Sequence, residues 1–406
     1  MDGERRASRP HPARLPRNLE NDMKLHPATI LAAAVLAAPV FAEENPAPAA
    51  VETAEAAPLD VRAAAAIARA KMWLLARQRD DGSFSNPKHP GLTGLALWAL
   101  AGARHPSDAD AIERAGDWLL SKAQPDGGIY QPVPDRAGGG LSTYNTAVCL
   151  TALAETGRPD ATRAILDART FLAGAQLTGD DGFAGGFGYA SESGDKRYAD
   201  LNNTMFVMDA MRRSQRYEDN RPAGEKKADL DWAAALAFAE SLHNGPGTGD
   251  NEGGFAYSPA DAKAGTDKAA STNETVVMRS YGSMTYAGLL ALVYCDLDRT
   301  DPRVRSTLDW AGRHWSLEEN PGIGEQGLYF FYDVISRALS AAKVESIPRE
   351  SADAVDWRAE LVEKLLSLQR PDGSFANANG RFWENDPVLV TSYSMIALEF
   401  AAGLLK

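Results

Sequence analysis

From about Leu59 onward the chain alternates two apolar patterns. The first carries charge at helical spacing, as in Arg62 and Arg69, or Glu360, Glu363 and Lys364. It occupies about 59–79, 107–124, 160–177, 229–243, 301–316 and 353–369. The second is nearly uncharged, as in LTGLALWAL, STYNTAVCLTAL and GSMTYAGLLALVYC. It occupies about 92–103, 142–157, 201–215, 282–296, 327–342 and 388–405. A helix that is apolar all round is buried all round, whereas an amphipathic one faces water. Sustained period-two runs of β-branched residues are absent, so an all-α chain is expected. Six amphipathic helices alternating with six apolar ones predict two concentric rings, an (α/α)6 toroid over 59–406. An open solenoid would leave the second helices half exposed.

One phrase punctuates the alternation. It reads Gln78-Arg79-Asp80-Asp81-Gly82-Ser83-Phe84, Gln124-Pro125-Asp126-Gly127-Gly128-Ile129-Tyr130 and Gln369-Arg370-Pro371-Asp372-Gly373-Ser374-Phe375. A looser copy runs from Gln176 through Asp181-Gly182-Phe183. Glycine-aromatic remnants follow as Gly185-Gly186-Phe187-Gly188-Tyr189, Gly253-Gly254-Phe255-Ala256-Tyr257 and Gly324-Glu325-Gln326-Gly327-Leu328-Tyr329. Asp-Gly suits a chain reversal, since Asp bonds its own backbone and Gly accepts positive φ. The repeating unit is helix, turn, helix, and the repeat argues for one domain.

The preceding residues read differently. Residues 1–22 are Arg- and Pro-rich without apolar period, expected to be disordered or to precede the true start. Residues 23–42 have the order of an export signal: Lys24, an apolar stretch from Ala28 to Ala38, then Val40-Phe41-Ala42. Residues 43–58 are an Ala/Pro/Glu-rich linker. The expectation is an exported protein, periplasmic or extracellular, without a transmembrane anchor. Net charge of −13 with no basic stripe argues against a nucleic-acid partner.

The phrase resembles the QW repeat of the squalene cyclase and protein prenyltransferase superfamily, over about residues 60–406. That resemblance implies that each Gln ties the end of an outer helix to the start of the next inner one, with Phe84, Tyr130 or Phe375 packed on it. It also implies chemistry at the mouth of the ring, where inner helices begin. Class II cyclases carry Asp-x-Asp-Asp-Thr there, and the run Asp200-Leu201-Asn202-Asn203-Thr204 resembles it. Asn202 stands where the proton-donating Asp belongs, and an amide cannot protonate an alkene. Asp108-Ala109-Asp110-Ala111 is read as helix capping. The prenyltransferase zinc site has no counterpart, since Cys149, Cys295 and the histidines lack ligand spacing; no metal and no cofactor are expected. Gly322-Ile323-Gly324-Glu325-Gln326 is similar to a complement-type thioester motif but lacks the thiol.

Polar and aromatic residues gather where the second helices begin. Tyr329, Tyr332, Asp333 and Ser336 share one face, as do Asn202, Met205, Phe206 and Asp209. Buried carboxylates need partners or a wet cavity, so a lumen is expected. Its candidate ligand-binding residues are Asn202, Phe206, Asp209, Tyr144, Asn145, Tyr286, Tyr329, Tyr332 and Tyr393. Candidate catalytic groups are Asp200, Glu325 and Asp333. Three readings stay open. An isoprenoid or other lipid-like ligand would use the aromatic wall. A glycan enzyme would need two carboxylates about 5–10 Å apart, from Asp200, Glu325, Asp333, Glu384 and Asp386. A non-catalytic envelope scaffold would bind protein partners through its loops.

Overall fold

The computed structural model describes residues 57–133, 141–190, 198–268, 276–349 and 353–405. The expected export signal, the residues before it and nearly all of the linker lie outside them. The uncharged segments form six helices: α2 (Pro90–Gly102), α4 (Ser142–Thr156), α6 (Leu201–Arg213), α9 (Gly282–Tyr294), α11 (Leu328–Ala341) and α13 (Pro387–Ala401). Their burial follows from composition: in α2 every residue from Pro90 to Ala101 is buried, and in α13 every residue from Val388 to Ala401. The charged segments form α1 (Leu59–Leu75), α3 (Ala109–Leu120), α5 (Thr162–Ala175), α8 (Trp232–Ser241), α10 (Pro302–Arg313) and α12 (Trp357–Leu368). A short α7 (Gln215–Asp219) extends the third unit.

The inner helices pack in the cyclic order α2, α4, α6, α9, α11, α13 and back to α2, with the outer helices around them. This is the (α/α)6 toroid. At the seam α1 packs on α12 and α13, and Arg62 pairs with Glu363 at 2.6 Å. One departure from an all-α chain is a hairpin of three-residue strands, β1 (Thr266–Lys268) and β2 (Val276–Met278). Strands this short carry no readable period.

The turns explain why the rings stay in register. In five units a turn N–H donates to a threonine hydroxyl in the opening of the inner helix. The pairs are Phe84 to Thr93 (3.0 Å), Ile129 to Thr146 (2.9 Å), Phe187 to Thr204 (3.0 Å), Phe255 to Thr285 (3.2 Å) and Phe375 to Thr391 (3.0 Å). The donor residue itself is fully buried each time. Gln reaches elsewhere than the resemblance implied. Gln78 Nε2 donates to Ala111 O of α3 at 2.8 Å, and Gln369 Nε2 to Ala66 O of α1 at 2.8 Å. Gln thus joins outer helix to outer helix, and threonine makes the inward link.

In the second copy Ala123, not a glutamine, stands at the outer-link position. Gln124 N bonds Gly128 O just as Arg79 N bonds Ser83 O and Arg370 N bonds Ser374 O. Gln124 therefore occupies the arginine position, bonds only carbonyls of its own turn, and leaves Ile129 rather than Tyr130 in the buried slot. In the third unit the working turn is Gly185-Gly186-Phe187, not Asp181-Gly182-Phe183.

Gly373 shows what the turn requires. Its φ is +91°, and a Cβ there would stand 2.5 Å from Arg69 O on the next outer helix. Gly157, with φ +68°, has nothing within 4 Å of such an atom. Gly373→Ala should cost about 2–4 kcal/mol, strain and overlap together. Gly157→Ala should cost only about 1–2 kcal/mol, from the backbone conformation alone. Denaturant midpoints of the two variants check this, and equal losses would refute the close approach.

Candidate functional site

The N-terminal ends of the inner helices and the turns before them enclose a cavity of about 460 Å³. Its wall is an aromatic belt. Tyr189 lies 6.2 Å from Tyr144 between ring centroids, Tyr144 5.2 Å from Phe206, Phe206 5.9 Å from Phe330, and Phe330 5.8 Å from Tyr393. Burial pushes the Tyr144 hydroxyl up to about 12, so it stays protonated. Polar groups enter between the rings: Asn145, Asn202, Asn320, Ser283 and Lys263. Asn145 Oδ1 accepts from Gly91 N at 2.8 Å, while its buried Nδ2 has no partner. Over the mouth, Trp383 meets His89 edge-on at 4.3 Å. Phe382 and Trp383 are partly exposed and both have positive φ, 57° and 68°, which is unusual for consecutive bulky residues.

Asn202, Phe206, Tyr144, Asn145 and Tyr393 line this cavity, as the sequence suggests. Four other candidates do not. Asp209 is buried in an ion-pair network, with Arg213 at 2.9 Å, Arg337 at 3.4 Å and a hydrogen bond from Tyr294. Tyr329 donates to Ala376 O at 3.1 Å and Tyr332 to Leu317 O at 2.6 Å, so both face the turns. Tyr286 packs against Phe331 at 5.8 Å.

The three catalytic candidates are also placed away from the lining. Asp333 pairs with Arg337 at 2.7 Å, and Glu325 is exposed. Asp200 caps α6, accepting from Asn203 N and Nδ2, both at 2.8 Å. Burial raises its pKa to about 6, against the hydrogen bonds from Asn203 and the field of Lys263. Of the remaining glycan candidates, Glu384 accepts from Phe330 N at 2.8 Å and Asn377 Nδ2 at 2.6 Å, and Asp386 caps α13. Among the described residues, no Asp or Glu lines the cavity. Nor do any three His, Cys, Asp or Glu side chains among them form a group that could hold a metal.

Asp333–Arg337–Asp209–Arg213–Glu155 forms one chain of ion pairs reaching from α11 through α6 to α4. The Arg337 guanidinium lies 5.3 Å from the Phe206 ring centroid, tying this network to the cavity wall. The expectation of a wet lumen around Asp209 and Asp333 is thus corrected: arginines pair with them, each four residues on along the same helix, although the buried Asp333 Oδ1 has no partner among the described residues. Sequence reasoning passed over Tyr189, Tyr257 and Lys263. The repeated Gly-Gly-Phe-x-Tyr carries the signal for two of them. Phe187 and Phe255 enter the core, while Tyr189 and Tyr257 line the cavity.

No family model and no curated protein sequence matches the chain. Solved structures do. A variant of the type II terpene cyclase MstE from Scytonema, in complex with merosterolic acid A, aligns with a TM-score of 0.53 and 15% identity, over 86% of this chain and 99% of that chain. Another MstE variant, in complex with geranylgeranyl dihydroxybenzoate, gives 0.52 and 14%, over 86% and 99%. The ligand-free MstE gives 0.52 and 14%, over 86% and 100%. The fold of this chain is terpene cyclase-like.

Asp200 makes a pH test possible. Its folded pKa lies above the unfolded value, so the folded state holds that proton more tightly. Its contribution is fully present below about pH 4 and is lost as pH rises through about 6. The stability of wild type relative to Asp200→Asn should therefore fall between pH 4 and pH 7.5, by on the order of 2–3 kcal/mol. Denaturant unfolding of both proteins across that range checks it, and parallel profiles would refute it.

Proposed function

We propose that the cavity holds an isoprenoid or other lipid-like molecule, and that the chain binds it without the alkene protonation that starts class II cyclisation. The observation carrying this reading is the aromatic belt of Tyr189, Tyr144, Phe206, Phe330 and Tyr393, with Asn202 set among it. The volume is within the range of small-molecule sites, about 300–1,000 Å³. A cavity mostly apolar, with a few placed polar groups, suits a chain-like ligand. The type II terpene cyclase MstE, of similar fold, was solved with its substrate geranylgeranyl dihydroxybenzoate and with its product merosterolic acid A, which agrees with this use of the scaffold. A glycan enzyme finds less support, because the carboxylates it would need cap helices, pair with arginine or, for Glu325, lie exposed away from the cavity. The residue order of 23–42 supports export, with the ligand met outside the cytoplasm.

Asn202 has the shape of Asp without the acidic proton. General acid catalysis is worth about 10²–10⁴-fold, so wild type incubated with linear polyprenes should give no cyclic product above background. Lipid extracted from the purified protein should contain an apolar molecule at near one per chain by mass spectrometry. Cyclic product from wild type would overturn binding without protonation. Asn202→Asp should fold normally, because its side chain meets the cavity rather than dry core.

A further inference from the structure

Lys263 is the one lysine or arginine among the described residues lining the cavity. Its Nζ stands 3.3 Å from the Tyr257 ring centroid and 5.3 Å from that of Phe382. The buried guanidinium groups are all matched: Arg169 with Glu218 at 3.0 Å, Arg213 with Asp209, Arg337 with Asp333. Lys263 has no hydrogen-bond or ion-pair partner among the described residues, only the ring faces beneath it. Asp200 and Asp261 are near enough for their fields to act on it, and so, in the opposite sense, is Arg381, which does not line the cavity. The Asp200 carboxylate, however, is taken up by Asn203. Tyr189 also lines the cavity; its hydroxyl, which burial keeps protonated, lies 3.5 Å from that of Tyr257, at the outer limit of hydrogen bonding.

A partly desolvated ammonium inside an aromatic wall is incompletely satisfied, and an anionic group is what completes it. One lysine balances one negative charge. A diphosphate, with several, calls for clustered cations or a bidentate arginine, and no arginine is among the described lining residues.

We propose that the ligand carries a single carboxylate at one end, held by Lys263 with the Tyr189 hydroxyl, while its chain lies along Tyr144, Phe206, Phe330 and Tyr393. This rests on the lipid reading of the cavity. The test is calorimetric titration of the whole purified protein, stripped of lipid, with three ligands of equal chain: geranylgeranoic acid, geranylgeraniol and geranylgeranyl diphosphate. Wild type should bind the acid about tenfold or more tightly than the alcohol, the order expected for one charge-assisted contact, and no less tightly than the diphosphate. Lys263→Gln should lose the preference for acid over alcohol while keeping affinity for the alcohol, and Lys263→Arg should retain it. Equal binding of acid and alcohol by wild type overturns the carboxylate assignment alone, as does a preference surviving in Lys263→Gln. Tighter binding of the diphosphate overturns the single charge. Binding of none of the three brings down the lipid reading itself. The wild-type comparison needs no variant, so it decides even if Lys263→Gln does not fold.

Discussion

The hydrogen bond from a turn N–H to a threonine on the inner helix is the constraint around which the toroid is arranged. Each turn dives between the rings to bury an apolar side chain, and its backbone loses water there. A buried N–H must find an acceptor, and an inner helix apolar throughout would offer none. Thr93, Thr146, Thr204, Thr285 and Thr391 supply it near the helix openings, fixing how far each turn penetrates. The polar start of the inner helices is therefore in part structural. Thr204, the residue that most resembles a cyclase motif in its setting, has this task.

The lumen divides into two physical regimes. Toward one end it is filled by Asp333, Arg337, Asp209, Arg213 and Glu155, charges that would be ruinous singly and are tolerable together. Toward the other it is open, aromatic and sparingly polar. Phe206 belongs to both, giving one contact to the Arg337 guanidinium and another to Tyr144.

Sequence periodicity was enough for the architecture because burial on all sides has a clear compositional mark. Helix ends fell within a few residues of expectation for the same reason. The site was harder. Tyr144, Asn145, Asn202, Phe206 and Tyr393 were legible because they open helices whose faces could be drawn. Asp209 and Asp333 misled, since a carboxylate on a buried face looks alike whether water or arginine answers it. The Arg213 and Arg337 spacings, each four residues on, hold the distinction. Phe382, Trp383 and Lys263 sit in loops without period, where no pattern states which way a side chain turns. The loss of the linking Gln from the second copy, where Ala123 stands in its place, was hidden because a Gln happens to stand at the neighbouring position.

The seam has a consequence for the order of events on the ribosome. Helix α2 needs α13 as its neighbour, and α1 needs α12 and α13. The first apolar helix to emerge thus keeps an uncovered flank until the last has been made, some three hundred residues later. Neighbouring hairpins can pair on the way, but the ring has no closed intermediate. Completion falls to the final helix, so premature termination anywhere upstream of Pro387 would leave a fragment with two apolar edges and nothing to join them.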